Sequence, residues 1–419
     1  MPTTKSKVDV LLHELRRSTG HHDRYLIYGQ LRDLGPVVRS RWGVVVTGYR
    51  ECVDILRAHK DFGQFSRTYF SENVPGWATH ESLVHSVTVI QFTDDPRHCE
   101  LRTPTRSVLS ADYAADLADQ IGRRVDDRLD LLAQELRANG VADFMSVVAV
   151  PLAEHVVDDV LGISETESRT LTEMIRAIIA GTSDLLRGSA ALLAADAAAV
   201  ELDAYIRELV AHRTGRPGQG PIWQLANDPR LSADDAVACV LGMIVPAVNN
   251  LPGMVGNALA SLDAFPEQRR LLIDRPAILD NAVEELLRFD APVHVLFRRA
   301  RVHTTLHDCE VKPGDGIFLL AGAANRDPDQ WADPNVLRLD RDFSVPQSRP
   351  ISFGHGHHAC PGASFVRVAV RVMLTRIYDR FPRLSVAGPS VSHPGITFHY
   401  DESLPVTTGV RQPVEAVDR

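Results

Sequence analysis

Cys360 lies in the run Phe353-Gly354-His355-Gly356-His357-His358-Ala359-Cys360-Pro361-Gly362. A lone cysteine among glycines, ahead of a helical run, is a way to offer one thiolate to one metal. Glycines let the backbone approach a flat ligand through dihedrals that side chains forbid. Backbone N–H groups of the turn, and of the helix beginning near Pro361, should favour the anionic thiolate over the thiol. Two plainer readings stand beside this one. Three histidines and a cysteine could bind zinc, although structural zinc sites usually draw ligands from two separated pairs. The other is an ordinary buried cysteine after a glycine turn.

Other residues carry chemistry by their spacing. Glu285 and Arg288, three apart, share a helix face; alone, such a pair is usually a solvated ion pair of small value. His98 and Arg102 are four apart on a helix expected to start after Pro96, so they point the same way. Asn249 and Asn250 sit in an apolar run between Pro246 and Pro252. Two prolines in one helix remove N–H donors and are expected to kink or widen it. Asn325-Arg326-Asp327-Pro328 reads as a capped turn, with Asp327 bonding nearby backbone.

In this order along the chain, these segments resemble the cytochrome P-450 family in its soluble bacterial form. Phe353, Gly354, Gly356, His358, Cys360 and Gly362 match its haem-binding loop position by position. The resemblance implies that Cys360 is the axial ligand of haem b, where a thiolate pushes electron density onto iron and favours O–O cleavage. It implies that Glu285 and Arg288, with Arg338 or Arg341 as a third member, stiffen the support of that thiolate. It assigns the haem propionates to His98, Arg102, His358 and Arg298, with Arg299 one residue away from the last. Haem contacts are further expected from Phe353, Gly354 and Gly362.

The segment Leu241 to Ala260 is expected to be the long central helix over the distal haem face, its register fixed by Gly256-Asn257-Ala258-Leu259. There the chain departs from the family: the usual acid is Asn249 and the usual alcohol Asn250. Both are candidate catalytic residues. Either the helix merely bends at a groove already present in relatives, or proton delivery is altered. By resemblance, the loop from Phe70 to Phe92 covers the pocket, with Val89, Ile90 and Phe92 reaching in. Val293, Val295, Leu296 and Tyr400 are the other expected substrate contacts.

Length and composition fit this picture. The 419 residues are 44% hydrophobic with a net charge of −9, which argues against a nucleic-acid binder and offers no basic tail for a membrane. Five scattered cysteines (Cys52, Cys99, Cys239, Cys309, Cys360) read as reduced thiols in a cytoplasm. Met1 to His22 shows neither a signal-peptide core nor a membrane anchor. Val37 to Val46 reads as a hairpin, Tyr49 to His59 as a short helix, Asp112 to Leu287 as mostly helical, and Ile396 to Val410 as strand-like. The expected architecture is one mainly α domain over 1–419 with small β-sheets near both ends, residues 1–22 being flexible.

The expected activity is that of a monooxygenase inserting one atom of dioxygen into a small organic substrate, a natural-product intermediate. Electrons would come from a separate ferredoxin-type partner, since no flavin or iron–sulfur segment is present. Arg367, Arg371 and Arg376 would follow Cys360 on a helix and form either a basic docking patch or an ordinary solvated face. Two alternatives remain: a haem-thiolate enzyme of atypical outcome (oxidative coupling, cyclisation or peroxide use), suggested by Asn249 and Asn250, and a non-catalytic recruitment module. Neither nucleic acid nor membrane is an expected partner.

Overall fold

The structure is a computed structural model that describes residues 4–18, 21–182, 189–345 and 349–409. It is mainly helical, with small sheets, as expected. The helices that matter for the site are α1 (Thr4–Arg17), α2 (His21–Asp33), α3 (Tyr49–Arg57), α4 (Arg97–Val108), α5 (Ala111–Asn139), α6 (Val150–Leu161), α7 (Glu165–Thr182), α8 (Ser189–Arg213), α9 (Ala233–Ala264), α10 (Leu279–Phe289) and α11 (Ala363–Arg380).

Helix α9 is the axis of the fold. Ser232 starts it with a capping box, its hydroxyl accepting from the Asp235 N–H while the Asp235 carboxylate accepts from the Ser232 N–H. By length and composition α9 could cross a membrane, yet 78% of its apolar window is buried inside the fold. It is the core helix, and α4, α6 to α8, α10 and α11 pack their apolar faces around it, with α5 against α6 and α11.

The prolines expected to disturb α9 do not end it; the helix runs through Pro246 and Pro252. Pro246 has no N–H to offer the Gly242 carbonyl four residues earlier. The Gln91 side-chain amide donates to that carbonyl at 2.6 Å instead. A side chain from the distal loop thus repairs the helix bond that the proline removes.

The main sheet comprises β1 (Val37–Arg39), β2 (Val44–Val46), β3 (Phe62–Gly63), β4 (Val295–Ala300) and β5 (Gly316–Leu320), in the order β1-β2-β5-β4-β3. The β1–β2 hairpin is the one expected from Val37 to Val46. Its Gly43 has φ +145°, and a Cβ there would lie 2.2 Å from the Gly316 carbonyl of β5, so only glycine fits. Near the C-terminus β6 (Val391–Ser392) pairs with β7 (Asp401–Ser403), and Val293 bridges Phe398. Strand structure is thus shorter than expected over Ile396 to Val410, and Val410 lies outside the described residues.

The N-terminal segment corrects an expectation. Rather than a flexible residue 1–22 stretch, Thr4–Arg17 is a helix whose Val8, Leu12 and Leu15 are buried with Tyr28, Leu31 and Val295. The spacing of these three apolar residues is one helical stripe, short enough to be obscured by the charged residues between them.

Candidate functional site

The loop bearing Cys360 is tied down from three sides. The Cys360 N–H donates to the Phe353 carbonyl at 2.8 Å, closing the loop on itself. The Ile351 N–H donates to Asn325 Oδ1 at 2.9 Å, and Asn325 Nδ2 donates to Ser352 Oγ at 2.8 Å. Ser352 Oγ in turn donates to the Leu287 carbonyl of α10 at 2.6 Å. Gly356, at φ +68°, lies against the end of α3; a Cβ there would come within 2.9 Å of the Leu56 carbonyl. Asn325-Arg326-Asp327-Pro328, read from sequence as a capped turn, does more than cap: Asp327 accepts from the Tyr49 and Asp329 N–H groups, while Asn325 anchors the cysteine loop.

Around the sulfur, opposing influences meet. The Cys360 side chain is solvent-accessible but ringed by protein. Burial among protein atoms pushes its thiol pKa up, while N–H groups of Gly362 and Ala363 and the cations Arg102 and Arg367 pull it down. The net shift is upward. The helix-start N–H groups act in the expected direction, but here they do not outweigh desolvation. A Cβ on Gly362 would stand 3.9 Å from Cys360 Sγ, so glycine keeps this side of the sulfur uncrowded.

Behind the loop, Glu285 and Arg288 form a fully buried bidentate pair, with Nε–Oε2 at 2.7 Å and Nη2–Oε1 at 2.8 Å. Arg341, not the Arg338 side chain, is the third member: its Nε donates to Glu285 Oε2 at 3.1 Å. Arg338 contributes its backbone N–H to Glu285 Oε1 at 2.8 Å, while its guanidinium turns to Asp340. Arg288 also donates to the carbonyls of Asn325 and Pro334 at 2.9 Å each, so the pair binds α10 to the segment that anchors the cysteine loop.

The expected propionate residues converge on the same region. His98 and His358 stack at 3.8 Å between ring centroids. Burial above all, then neighbouring His357 and Arg102, lowers the His98 pKa to about 4. Burial, then His98 and Arg298, lowers that of His358 to about 2. Both rings are therefore neutral near pH 7 and offer N–H donors rather than charge. Arg102 is half-buried, and the structure gives it no carboxylate partner among the described residues. Strand alternation separates Arg298 from Arg299. Arg299 turns outward to a bidentate pair with Glu72 at 2.6–2.9 Å, whereas Arg298 is buried.

The buried Arg298 donates to Gln64 Oε1 at 3.2 Å and to its neighbour's carbonyl at 2.7 Å, but to no carboxylate. Burial lowers its pKa to about 10, and its Nε and the Gln64 Nε2 have no partner. A buried guanidinium without an anion is costly. Two arginines with no hydrogen-bonded carboxylate among the described residues, two neutral imidazoles and one thiol suit a dianionic ligand whose metal takes sulfur, so the donor set fits haem.

The remaining expected residues divide. Tyr400 is buried, and its hydroxyl donates to Asn249 of α9. Val293 is half-buried beside Phe398. Ile90 is buried against α9, where a Cβ on Gly242 would meet it at 3.2 Å. Val89 packs at the edge of the same core and Phe92 against the aromatic cluster of Phe65, Tyr69, Phe70 and Trp77. Val295 is a correction: it is 1% exposed and faces α1 and α2, on the side of the sheet that these helices cover. Leu296 packs partly against the cluster beneath α3. Gln91 and His393, which hold the distal elements, carried no sequence signal: the Gln91 partner, Gly242, is 151 residues away, and the His393 contact with Tyr400, seven residues away, forms only once the C-terminal strands pair.

Of the two readings of the arginines after Cys360, a basic docking patch or an ordinary solvated face, the ion pairs favour the second. Arg367 pairs with Glu284, Arg371 with Asp280 at 3.1 Å and Arg376 with Asp126 at 3.3 Å. The face is a ladder of ion pairs, not a free basic surface.

This fold and this set of buried groups define a haem-thiolate protein class, and the comparisons agree. Residues 273–389 match the family model described as Cytochrome P450. The family model and the similar curated and solved proteins are all cytochrome P450s, which supports haem b as the cofactor and an oxidoreductase activity of the monooxygenase type. It is 28% identical over 392 residues to the biotin biosynthesis cytochrome P450 of Bacillus subtilis, covering 91% of this chain and 95% of that one. It is 27% identical over 388 residues to 6-deoxyerythronolide B hydroxylase of Saccharopolyspora erythraea, covering 89% and 92%. Among solved structures it resembles P450BioI in complex with a hexadec-9Z-enoic acid-ligated acyl carrier protein, with TM-score 0.83, 28% identity and coverage of 92% and 98%. It also resembles CalO2, with TM-score 0.82, 27% identity and coverage of 95% and 98%.

Proposed function

We propose that this enzyme inserts one oxygen atom of dioxygen into a small organic intermediate of natural-product biosynthesis, with Cys360 as axial ligand and a ferredoxin-type protein as electron donor. When bound, haem supplies the oxygen activation that a thiolate ligand favours. The chain's own residues do the rest. Glu285, Arg288 and Arg341 hold α10 against the segment that fixes the cysteine loop. Arg298 and Arg102 would neutralise the haem propionates, and His98 and His358 would offer N–H groups to them. Ile90, Val293 and Tyr400 border the distal helix, where they exclude water and shape the substrate space. Val89, Phe92 and Leu296 are weaker candidates for that border.

The observation that carries this reading is the buried Arg298, which among the described residues hydrogen-bonds to no carboxylate and feels Asp94 only through space. Relatives named for biotin, polyketide and macrolide biosynthesis support an acyl or polyketide skeleton as the substrate class. The test is turnover of such compounds by the haem-loaded protein with a ferredoxin and its reductase under isotopically labelled dioxygen. A product gaining one labelled oxygen supports the reading; products without label contradict oxygen insertion.

A second outcome has one observation in its favour. Neither Asn249 nor Asn250 supplies a proton near neutral pH, and Asn249 is already engaged by Tyr400. Oxidative coupling, ring closure or peroxide-driven oxidation then becomes the alternative. It is recognised by label-free cyclised or coupled products, or by turnover with peroxide that needs no electron donor.

A further inference from the structure

A polar chain runs from the surface into the middle of α9. Glu402, its side chain 50% exposed, lies 2.9 Å from His393 Nδ1. The same nitrogen is 3.0 Å from the Tyr400 hydroxyl, and the two rings stack at 4.7 Å and 16°. Tyr400 contacts Asn249 Oδ1. The carboxylate sets the direction of this chain. It can only accept, so the proton of His393 resides on Nδ1. That N–H faces both Glu402 and the phenol oxygen, which leaves the phenol proton for Asn249 Oδ1. The amide of Asn249 is thereby oriented, oxygen toward Tyr400 and nitrogen away from it.

The consequence is an unmet donor. Asn249 is 6% exposed, and its Nδ2 has no hydrogen-bond partner among the described residues; Oδ1 of the adjacent Asn250 is also buried without one among them. Both sit between the buried Val248 and Leu251 of an otherwise apolar stretch of helix. Asparagine is a poor helix former and burying an unpaired amide is unfavourable. Two successive asparagines here therefore bring no packing advantage, and their free atoms call for a polar partner.

We propose that Asn249 and Asn250 form a receptor for a neutral oxygen substituent of the substrate, a hydroxyl or a carbonyl group. Asn249 Nδ2 is the fixed donor, so the substituent must accept; this rejects an ammonium group. Asn250 Oδ1, which has no partner among the described residues, accepts the proton of a hydroxyl as the second contact, while a carbonyl engages Asn249 Nδ2 alone. Neither amide carries charge, so a carboxylate would lose hydration with no compensating cation at this pair. Tyr400 is a positioning residue: it acts through Asn249, and His393 holds Tyr400. The inference rests on the haem-thiolate reading only in placing substrate beside α9.

The test uses calorimetric titration of the haem-loaded protein with matched medium-chain alkanes, primary alcohols and methyl ketones. Its readout is the affinity ratio of oxygenated ligand to alkane, which does not depend on turnover. Asn249→Asp keeps an acceptor for Tyr400 but loses the donor, and should lower that ratio about five- to ten-fold. Tyr400→Phe frees the amide to turn and should lower the ratio about three-fold, whereas a purely structural role would move alkane and alcohol affinities together and leave the ratio unchanged. Asn249→Leu should abolish the preference. An unchanged ratio in Asn249→Asp and Asn249→Leu overturns the proposal, as does a wild-type protein that binds no alcohol or ketone of the series. Failure of the haem-thiolate reading is separate, because it appears in the absorption spectrum before any ligand is added.

Discussion

Truncating Glu285 should damage this protein more than any single change on its surface. Glu285→Ala removes both acceptors of the buried Arg288 Nε and Nη2, the acceptor of Arg341 Nε, and the acceptor of the Arg338 N–H. Arg288 keeps the Asn325 and Pro334 carbonyls, so it cannot swing out to water without breaking those bonds too. Removing one partner of a buried pair costs about 3–5 kcal/mol, and the stranded Arg338 amide adds about 1 kcal/mol. Against a typical total of about 5–15 kcal/mol, that leaves little. Urea denaturation followed by tryptophan emission is a suitable assay, because Trp331 lies 5.5 Å from the Arg288 guanidinium. Glu285→Gln, which keeps one acceptor and the volume, should fall between wild type and alanine. A Glu285→Ala variant within about 1 kcal/mol of wild type would show a pair of surface strength and refute the argument.

Arg298→Ala and Arg102→Ala should each weaken haem retention, roughly ten- to a hundred-fold for a lost charge-assisted bond, while Arg299→Ala, bound outside to Glu72, should leave it unchanged; transfer of haem to an apo-globin acceptor measures all three. Leu15→Ala should lower stability by about 2–5 kcal/mol, because α1 is docked by this fully buried side chain; a melting temperature equal to wild type would mean that α1 is dispensable. Burial raises the Asp159 pKa to about 6 despite Arg124. The folded state therefore holds this proton more tightly than the unfolded chain, and the stability it gives below about pH 4 is lost as pH rises through 6. Asp159→Asn should flatten that decline by up to about 2–3 kcal/mol, read from denaturation midpoints at pH 4.5 and 7.5.

What could be read from the sequence was local. The β1–β2 hairpin rests on the glycine turn between two short apolar runs, while the α9 register and the role of the cysteine loop rest on short motifs that resemble the cytochrome P-450 family. What could not be read depended on partners far along the chain. Arg298 and Arg299 differ only through strand alternation and the distant Glu72. Arg341 was distinguishable from Arg338 only when the segment around Pro334 folded back on α10. The prolines of α9 implied a missing N–H correctly, but not that Gln91 would answer it. Val295 looked like a pocket residue because the sequence could not say which face of β4 α1 and α2 would cover. The arginines after Cys360 looked basic until Glu284, Asp280 and Asp126 lined up beside them.

The most direct test of the central claim is the absorption spectrum of the reduced, carbon monoxide-bound protein, wild type against Cys360→His. Wild type should show the strongly red-shifted Soret band of thiolate-ligated haem, and Cys360→His should retain some haem with the band at the position typical of imidazole ligation. A Cys360→His variant that keeps the red-shifted band and turnover would mean that Cys360 is not the ligand.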